Sequence, residues 1–181
     1  ISMSNFKCGI VSVSFRKNSI EEIIIEAKKA GLSFIEWGTD VHACPDDEDG
    51  LNKIVSLQNK EGIKTSSSGT YFRFGATDLS ELENYIKAAK KLGTDILRLW
   101  CGTKGSSEYT NKETEMLFEE CKKAAEIAEK NNVILCMECH PNTFTDRKEP
   151  ALKLMESVNS PNFKMYWQPN QFESLEENIE Y

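Results

Sequence analysis

Ile134-Leu-Cys-Met-Glu-Cys-His-Pro-Asn-Thr-Phe-Thr-Asp146 starts as an apolar run directly behind a polar helix end and finishes in a polar, proline-containing loop. Read as a strand, period-two alternation puts Ile134, Cys136, Glu138 and His140 on one face and Leu135, Met137 and Cys139 on the other. One face therefore ends in a carboxylate and an imidazole. Chemistry at the carboxyl end of a strand is the habit of parallel α/β enzymes, so this stretch points to that class.

Working outward, the rest of the chain alternates short apolar strands with helices. Lys7 to Phe15 is predicted as a first strand. Ser19 with Glu22 forms a capping box for a helix whose stripe is Ile20, Ile23, Ile24, Ala27 and Ala30. Phe34 to Trp37 reads as the second strand, followed by an acidic loop from Asp40 to Gly50 and a helix around Leu51 to Lys60. Ile63 to Ser68 is the third strand, leading into a loop, Gly69-Thr-Tyr-Phe-Arg-Phe-Gly75. Asp78 or Ser80 caps a helix carrying Leu82, Tyr85, Ile86, Ala89 and Leu92. The fourth strand is Ile96 to Cys101, and a helix from about Lys112 to Lys130 precedes the stretch quoted above. Pro150, placed at the first helical position, opens a helix to about Val158. Phe163 to Gln168 is a sixth strand, and Ser174 to Tyr181 starts a further helix.

The helix stops Gly31, Gly62 and Gly93 stand 31 residues apart, and Lys28-Lys-Ala-Gly-Leu-Ser-Phe-Ile-Glu-Trp37 echoes Lys90-Lys-Leu-Gly-Thr-Asp-Ile-Leu-Arg-Leu-Trp100. One strand–helix unit of that length repeated eight times gives the ~250 residues of a (β/α)₈ barrel. The expected fold is therefore an α/β parallel barrel with about six of its eight βα units in this chain. A doubly wound open sheet suits the length, but no glycine-rich dinucleotide or phosphate loop follows the first strand. Residues 3–181 are read as a single barrel domain truncated at its carboxyl end, and Ile1-Ser2, ahead of Met3, as a vector remnant.

A formal net charge of −7 argues against a nucleic-acid backbone as the partner, because phosphate binding needs clustered Lys and Arg. No apolar run approaches the ~20 residues of a membrane span, and no secretory signal is recognised ahead of the first strand. A cytoplasmic location is expected. The six cysteines are accordingly read as reduced thiols, several of them small core residues. Cys136-Met-Glu-Cys139-His140 matches the haem-attachment pattern, but residues three apart on a strand point to opposite faces. A zinc site from His42, Cys44, Cys139 and His140 is a further reading, with core packing preferred.

Glu138 is the leading candidate for chemistry, since a carboxylate closing an apolar strand binds a cation, pairs with a base or moves a proton. The bland alternative is a salt bridge to a barrel cation such as Arg98. Arg98 shares its face with Ile96 and Trp100, and Glu36 lies opposite Trp37. Arg98 and Glu36 are as well suited to pair with each other as to touch a substrate. His42 follows the second strand, and Tyr71 and Arg73 follow the third, where they contact a polyol or cap the barrel mouth.

Glu36-Trp-Gly-Thr-Asp-Val-His42, Ser68-Gly-Thr-Tyr-Phe-Arg73, Arg98-Leu-Trp100, Glu138-Cys-His-Pro-Asn142 and Tyr166-Trp-Gln-Pro169 together resemble the sugar phosphate isomerase/epimerase family, whose members have a xylose isomerase-like barrel. The resemblance runs in order along nearly the whole chain. It implies a divalent metal (Mn, Mg, Co or Zn) at the carboxyl end of the barrel, polarising a carbonyl oxygen while two glutamates move a proton at the neighbouring carbon. Glu138 matches the strand-five glutamate, as acid/base and metal ligand. Gln168 stands where the family has the strand-six aspartate, which removes a charge from a hard-cation site. The strand-seven histidine and strand-eight glutamate find no match.

The resemblance thus implies a sugar or sugar-phosphate isomerase or epimerase, inactive if the barrel is not completed. Glu138 is the expected catalytic residue, Glu36, His42, Tyr71, Arg98, Trp100 and His140 the substrate-binding residues, and Glu138 and Gln168 the remnant of the metal site. A catalytically lapsed sugar-binding barrel is the alternative. An abasic-site endonuclease, which shares the barrel, is disfavoured by the two histidines and the negative charge. The expected partners are a small carbohydrate and further copies of the chain, with open sheet edges favouring a homo-oligomer, and neither nucleic acid nor membrane.

Overall fold

The computed structural model describes residues 6–170 and 173–180, so the expected vector remnant at residues 1–2 lies outside the described residues, as does Tyr181. Strands and helices alternate: β1 (Gly9–Val11), α1 (Ile20–Lys29), β2 (Phe34–Gly38), α2 (Glu48–Glu61), β3 (Lys64–Phe74), α3 (Leu82–Leu92), β4 (Ile96–Cys101), α4 (Asn111–Asn131), β5 (Ile134–Met137), α5 (Lys148–Val158), β6 (Phe163–Met165) and α6 (Leu175–Glu180). The strands form a six-stranded sheet in chain order, β1 to β6. Pairing is parallel, with Gly9 opposite Phe34, Phe34 opposite Lys64 and Leu135 opposite Phe163. Strand order that follows the chain, with a helix between successive strands, is the winding of a β/α barrel. Among the described residues no helix is long and apolar enough to cross a membrane.

The repeat has a simple cause. Gly31, Gly62 and Gly93 all take positive φ, at 71°, 70° and 85°, a left-handed conformation that costs glycine least and ends a helix in one residue. The predicted capping box is present, with Ser19 and Glu22 each bonding the other's backbone N–H. Thr110 and Glu113 form a second one at the start of α4.

Several boundaries differ from the sequence reading. β1 stops at Val11, and residues 12–15 turn into a short 3₁₀ helix in which the buried Ser12 accepts the Gly38 N–H on Oγ at 2.8 Å. α2 starts three residues before Leu51, because Asp47 accepts the Gly50 N–H at 2.9 Å. β3 runs through what was expected to be a loop, since Thr70, Phe72 and Phe74 are all fully buried on one side of it. α5 begins at Lys148, so Pro150 is its third residue. It remains in the first turn, where a missing N–H removes no helical bond. β6 ends at Met165, short of Gln168.

The chain divides into two compact units, one of Ile1–Tyr71 with Asn84–Leu97, the other of Phe72–Glu83 with Arg98–Tyr181. In the first, Ile24, Ile35, Trp37, Ile54, Ile63 and Leu92 belong to one apolar cluster. The buried Gln58 amide is satisfied there: its Oε1 accepts from Trp37 Nε1 at 2.8 Å and Thr65 Oγ1 at 3.0 Å. In the second unit, Leu99, Leu135, Met137 and Leu154 are completely buried, and Phe74 packs on Phe72 and Phe163 at ring distances of 5.1 and 6.0 Å.

Candidate active site

The alternation in β5 holds: Leu135 and Met137 are buried against the helical side while Ile134 and Cys136 are half-buried. Glu138 follows directly. Its N–H donates to Leu99 O at 3.0 Å, which extends the ladder by one residue and fixes the side chain at the strand end. On β4, Arg98 Nη1 donates to Glu138 Oε2 at 2.8 Å, and Trp100 Nε1 donates to the same oxygen at 2.6 Å. The two charged side chains are 8% and 11% exposed. Desolvating both ions is costly, and two charge-assisted hydrogen bonds on one oxygen offset that cost and restrain the carboxylate plane. The Arg98 guanidinium also lies 5.3 Å from the Trp100 ring centre. The bland reading of Glu138 as a partner of Arg98 is therefore realised, inside the candidate site.

Glu138, Cys139, His140, Pro141, Asp146, Gln168, Pro169 and Asn170 line a cavity of about 380 Å³. The loop that forms its wall is held from within. Thr145 Oγ1 donates to Glu138 O at 2.7 Å and Thr143 Oγ1 to His140 O at 2.7 Å, and both threonines are fully buried. His140 Nδ1 lies 2.7 Å from Pro141 O. A carbonyl only accepts, so Nδ1 carries the proton and Nε2 is left as the basic nitrogen. The imidazole sits 5.7 Å from the Trp100 ring. Gln168 accepts from Tyr166 Oη at 3.1 Å.

Arg98, Trp100, Glu138, His140 and Gln168 thus all belong to the second unit, the first three joined directly. Glu36, His42 and Tyr71 belong to the first unit. Glu36 is half-buried, accepts from Ser67 Oγ at 2.6 Å and lines a second cavity with Val11, Ser14 and Ser66. His42 is buried rather than solvent-exposed: Nε2 lies 2.9 Å from Asn18 O, and the ring meets Trp37 edge-on at 6.0 Å. Tyr71 Oη accepts from Arg16, whose guanidinium also pairs with Asp40.

Sequence reasoning passed over Asp146 and Arg16. Asp146 lines the Glu138 cavity, and its Oδ2 accepts the Ser106 N–H at 3.0 Å. Its position at the end of a threonine-rich loop, just before a helix, was the available signal. Arg16 had none, because its partners, Asp40 in the turn after β2 and Tyr71 on β3, are distant in the chain.

The metal implied by the family resemblance finds a poor donor set. Among the described residues no group of three or more His, Cys, Asp or Glu is placed to hold a metal ion. Glu138 Oε2 is already engaged by two donors, and Gln168 is a neutral amide. All six cysteines are free, with Cys8 and Cys44 exposed and Cys101, Cys121 and Cys139 buried.

A model of the xylose isomerase-like TIM barrel family matches residues 24–177. The chain belongs to that family. It is 24% identical over 170 residues to 3-dehydroshikimate dehydratase of Bacillus anthracis, an alignment covering 88% of this chain and 60% of that protein. The crystal structure of the probable 3-DHS dehydratase AsbF, involved in petrobactin synthesis in Bacillus anthracis, has a TM-score of 0.77 and 20% identity, over 88% of this chain and 62% of that one. D-psicose 3-epimerase with D-tagatose, from Clostridium cellulolyticum H10, has a TM-score of 0.70 and 17% identity, over 88% and 62%. At these identities the solved structures share the fold of this xylose isomerase-like barrel. The chain spans about 60% of the length of the curated relative it matches.

Proposed function

We propose that this chain carries the proton-transfer half of an active site acting on a small polyhydroxylated carbonyl compound, a sugar or sugar derivative. Glu138 removes or returns a proton at the carbon next to the carbonyl. The observation that carries the reading is the geometry of Glu138: an ionic carboxylate at a strand end, oriented by Arg98 and Trp100 and lining a cavity with His140. A restrained, partly desolvated base at a cavity wall is what abstraction of a weakly acidic C–H needs. His140, held through Nδ1 by the Pro141 carbonyl, is the group suited to exchange a proton with a substrate hydroxyl through Nε2.

Once the enediolate forms, two outcomes branch. Return of the proton gives isomerisation or epimerisation, and loss of a β-hydroxyl gives dehydration. The relatives include both an epimerase and a dehydratase, so the shared deprotonation is the supported step. No step is routed through a metal. Self-association along β1 and β6, the end strands of the sheet order, belongs to the same reading.

The test is incubation of the protein with ketoses and ketose derivatives in D₂O, followed by NMR. Deuterium entering the carbon next to the carbonyl, and lost in Glu138→Gln, is the expected result. Binding without exchange would move the chain to the sugar-binding class.

A further inference from the structure

We propose that Arg73 is the anion-anchoring residue of this site, so that the substrate carries an oxyanion group, a carboxylate or a phosphate. The inference rests on reading the strand ends of the second unit as a substrate site.

The chain has four arginines. Arg16 pairs with Asp40, Arg98 with Glu138, and Arg147 Nε lies 3.8 Å from Asp146. Arg73 alone has no carboxylate partner among the described residues. A guanidinium keeps its charge at any physiological pH, so this charge stands without a counter-ion. Its position is nonetheless well defined. Arg73 alternates with Phe72 and Phe74, both completely buried, which aims it to the other side of β3. Nη1 donates to Gly102 O at 3.0 Å and toward Asn142 O at 3.4 Å. The guanidinium lies 4.8 Å from the Trp100 ring centre.

These contacts tie Arg73 to the loop after β4 and the loop after β5, the same loops that follow Trp100 and contain His140. Both carbonyls take a hydrogen from one terminal nitrogen, so Nη2 and Nε remain as a fork, the geometry that matches two oxygens of a carboxylate or phosphate. A polyol hydroxyl does not neutralise the Arg73 charge, whereas an oxyanion does. Because the side chain is already held, little ordering remains to be done on binding.

The experiment is calorimetric titration of the full chain with neutral D-fructose, D-fructose 6-phosphate and D-gluconate, at low and moderate salt. Wild type is expected to bind one anionic probe at least roughly tenfold more tightly than fructose, with added salt eroding the difference. Whether phosphate or gluconate gains identifies the anion. Arg73→Gln is expected to bring the charged probes down to the affinity of fructose for the same variant, and Arg73→Lys to retain part of the preference. If the glutamine variant does not fold, the salt response and the lysine variant still decide. Equal affinity for charged and neutral probes, no binding of any probe, or a preference that survives Arg73→Gln would overturn the proposal. A role as mere loop fastener predicts altered melting without altered charge preference. Binding is measured rather than turnover, so a charge-selective protein without proton exchange fails only the catalytic reading. One that exchanges protons but ignores charge fails only this one.

Discussion

Two triads, each of an arginine, a carboxylate and an aromatic ring, stand in different surroundings. In the first unit, Arg16 pairs with Asp40 and stacks on Tyr71, 5.6 Å from the ring centre, with the ion-pair side chains 45% and 23% exposed. In the second, Arg98 pairs with Glu138 and stacks on Trp100, with side chains only 8% and 11% exposed. An exposed pair exchanges water for a partner at little net gain. A buried pair cannot recover its hydration when one member is removed. The same three kinds of group therefore make a surface clasp in one place and an obligatory charge arrangement in the other. Burial decides which.

The comparison can be broken most directly at Glu138. Glu138→Ala removes the carboxylate from a buried ion pair, and should cost about 3–5 kcal/mol of stability in urea melts. Replacing both members together with well-packed apolar residues should cost far less than that single change. If Glu138→Ala instead costs as little as an exposed pair, the second triad is not dry. Trp100→Phe keeps most of the packing and deletes the indole donor to Glu138 Oε2. A loss of about 1.5–3 kcal/mol is expected, the range for a hydrogen bond to a charged group, together with slower proton exchange. Arg16→Ala should change stability by only about 0–1 kcal/mol in the same assay.

Cysteines repeat the contrast with a chemical readout. Burial, then the neighbouring Cys101, raises the Cys121 thiol well above its ordinary range, so it stays protonated at mildly alkaline pH. Thiol titration of the native protein should label Cys8 and Cys44 and leave Cys101 and Cys121 until denaturant is added. The smallest effect is expected at Glu113. The Lys104 ammonium, then the Thr110 N–H, holds its carboxyl at about 2 rather than 4.5. A lowered pKa contributes stability above the ordinary value that is lost as pH falls through about 2. Glu113→Gln should therefore lower stability slightly at neutral pH and make no difference below about pH 2, which flattens the acid limb of the pH–stability profile.

Much of this was legible along the chain. The 31-residue spacing of three glycines, each with positive φ, announced the unit of the barrel before any contact was known. Glu138 and Arg98 stood out because a charge in an apolar strand must find a partner. The strand limits were less legible. β3 absorbs Gly69 to Phe74 because its aromatic residues find a core to bury in, which no local propensity encodes. His42 looked like a loop histidine by sequence, yet Trp37 and the Asn18 carbonyl enclose it.

The sequence by itself determined the parallel α/β class, the unit length and the helix stops, since each depends on residues within a few positions of one another. Only the tertiary structure decided that Arg98 and Trp100 both bind one oxygen of Glu138, that Asp146 shares its cavity, and that Arg73 has no acid partner among the described residues. The bonds to Glu138, and that of Ser106 to Asp146, join residues about 40 positions apart in the chain. Partner choice and desolvation at that separation are set by strand order and register, and so emerge only once the sheet has formed.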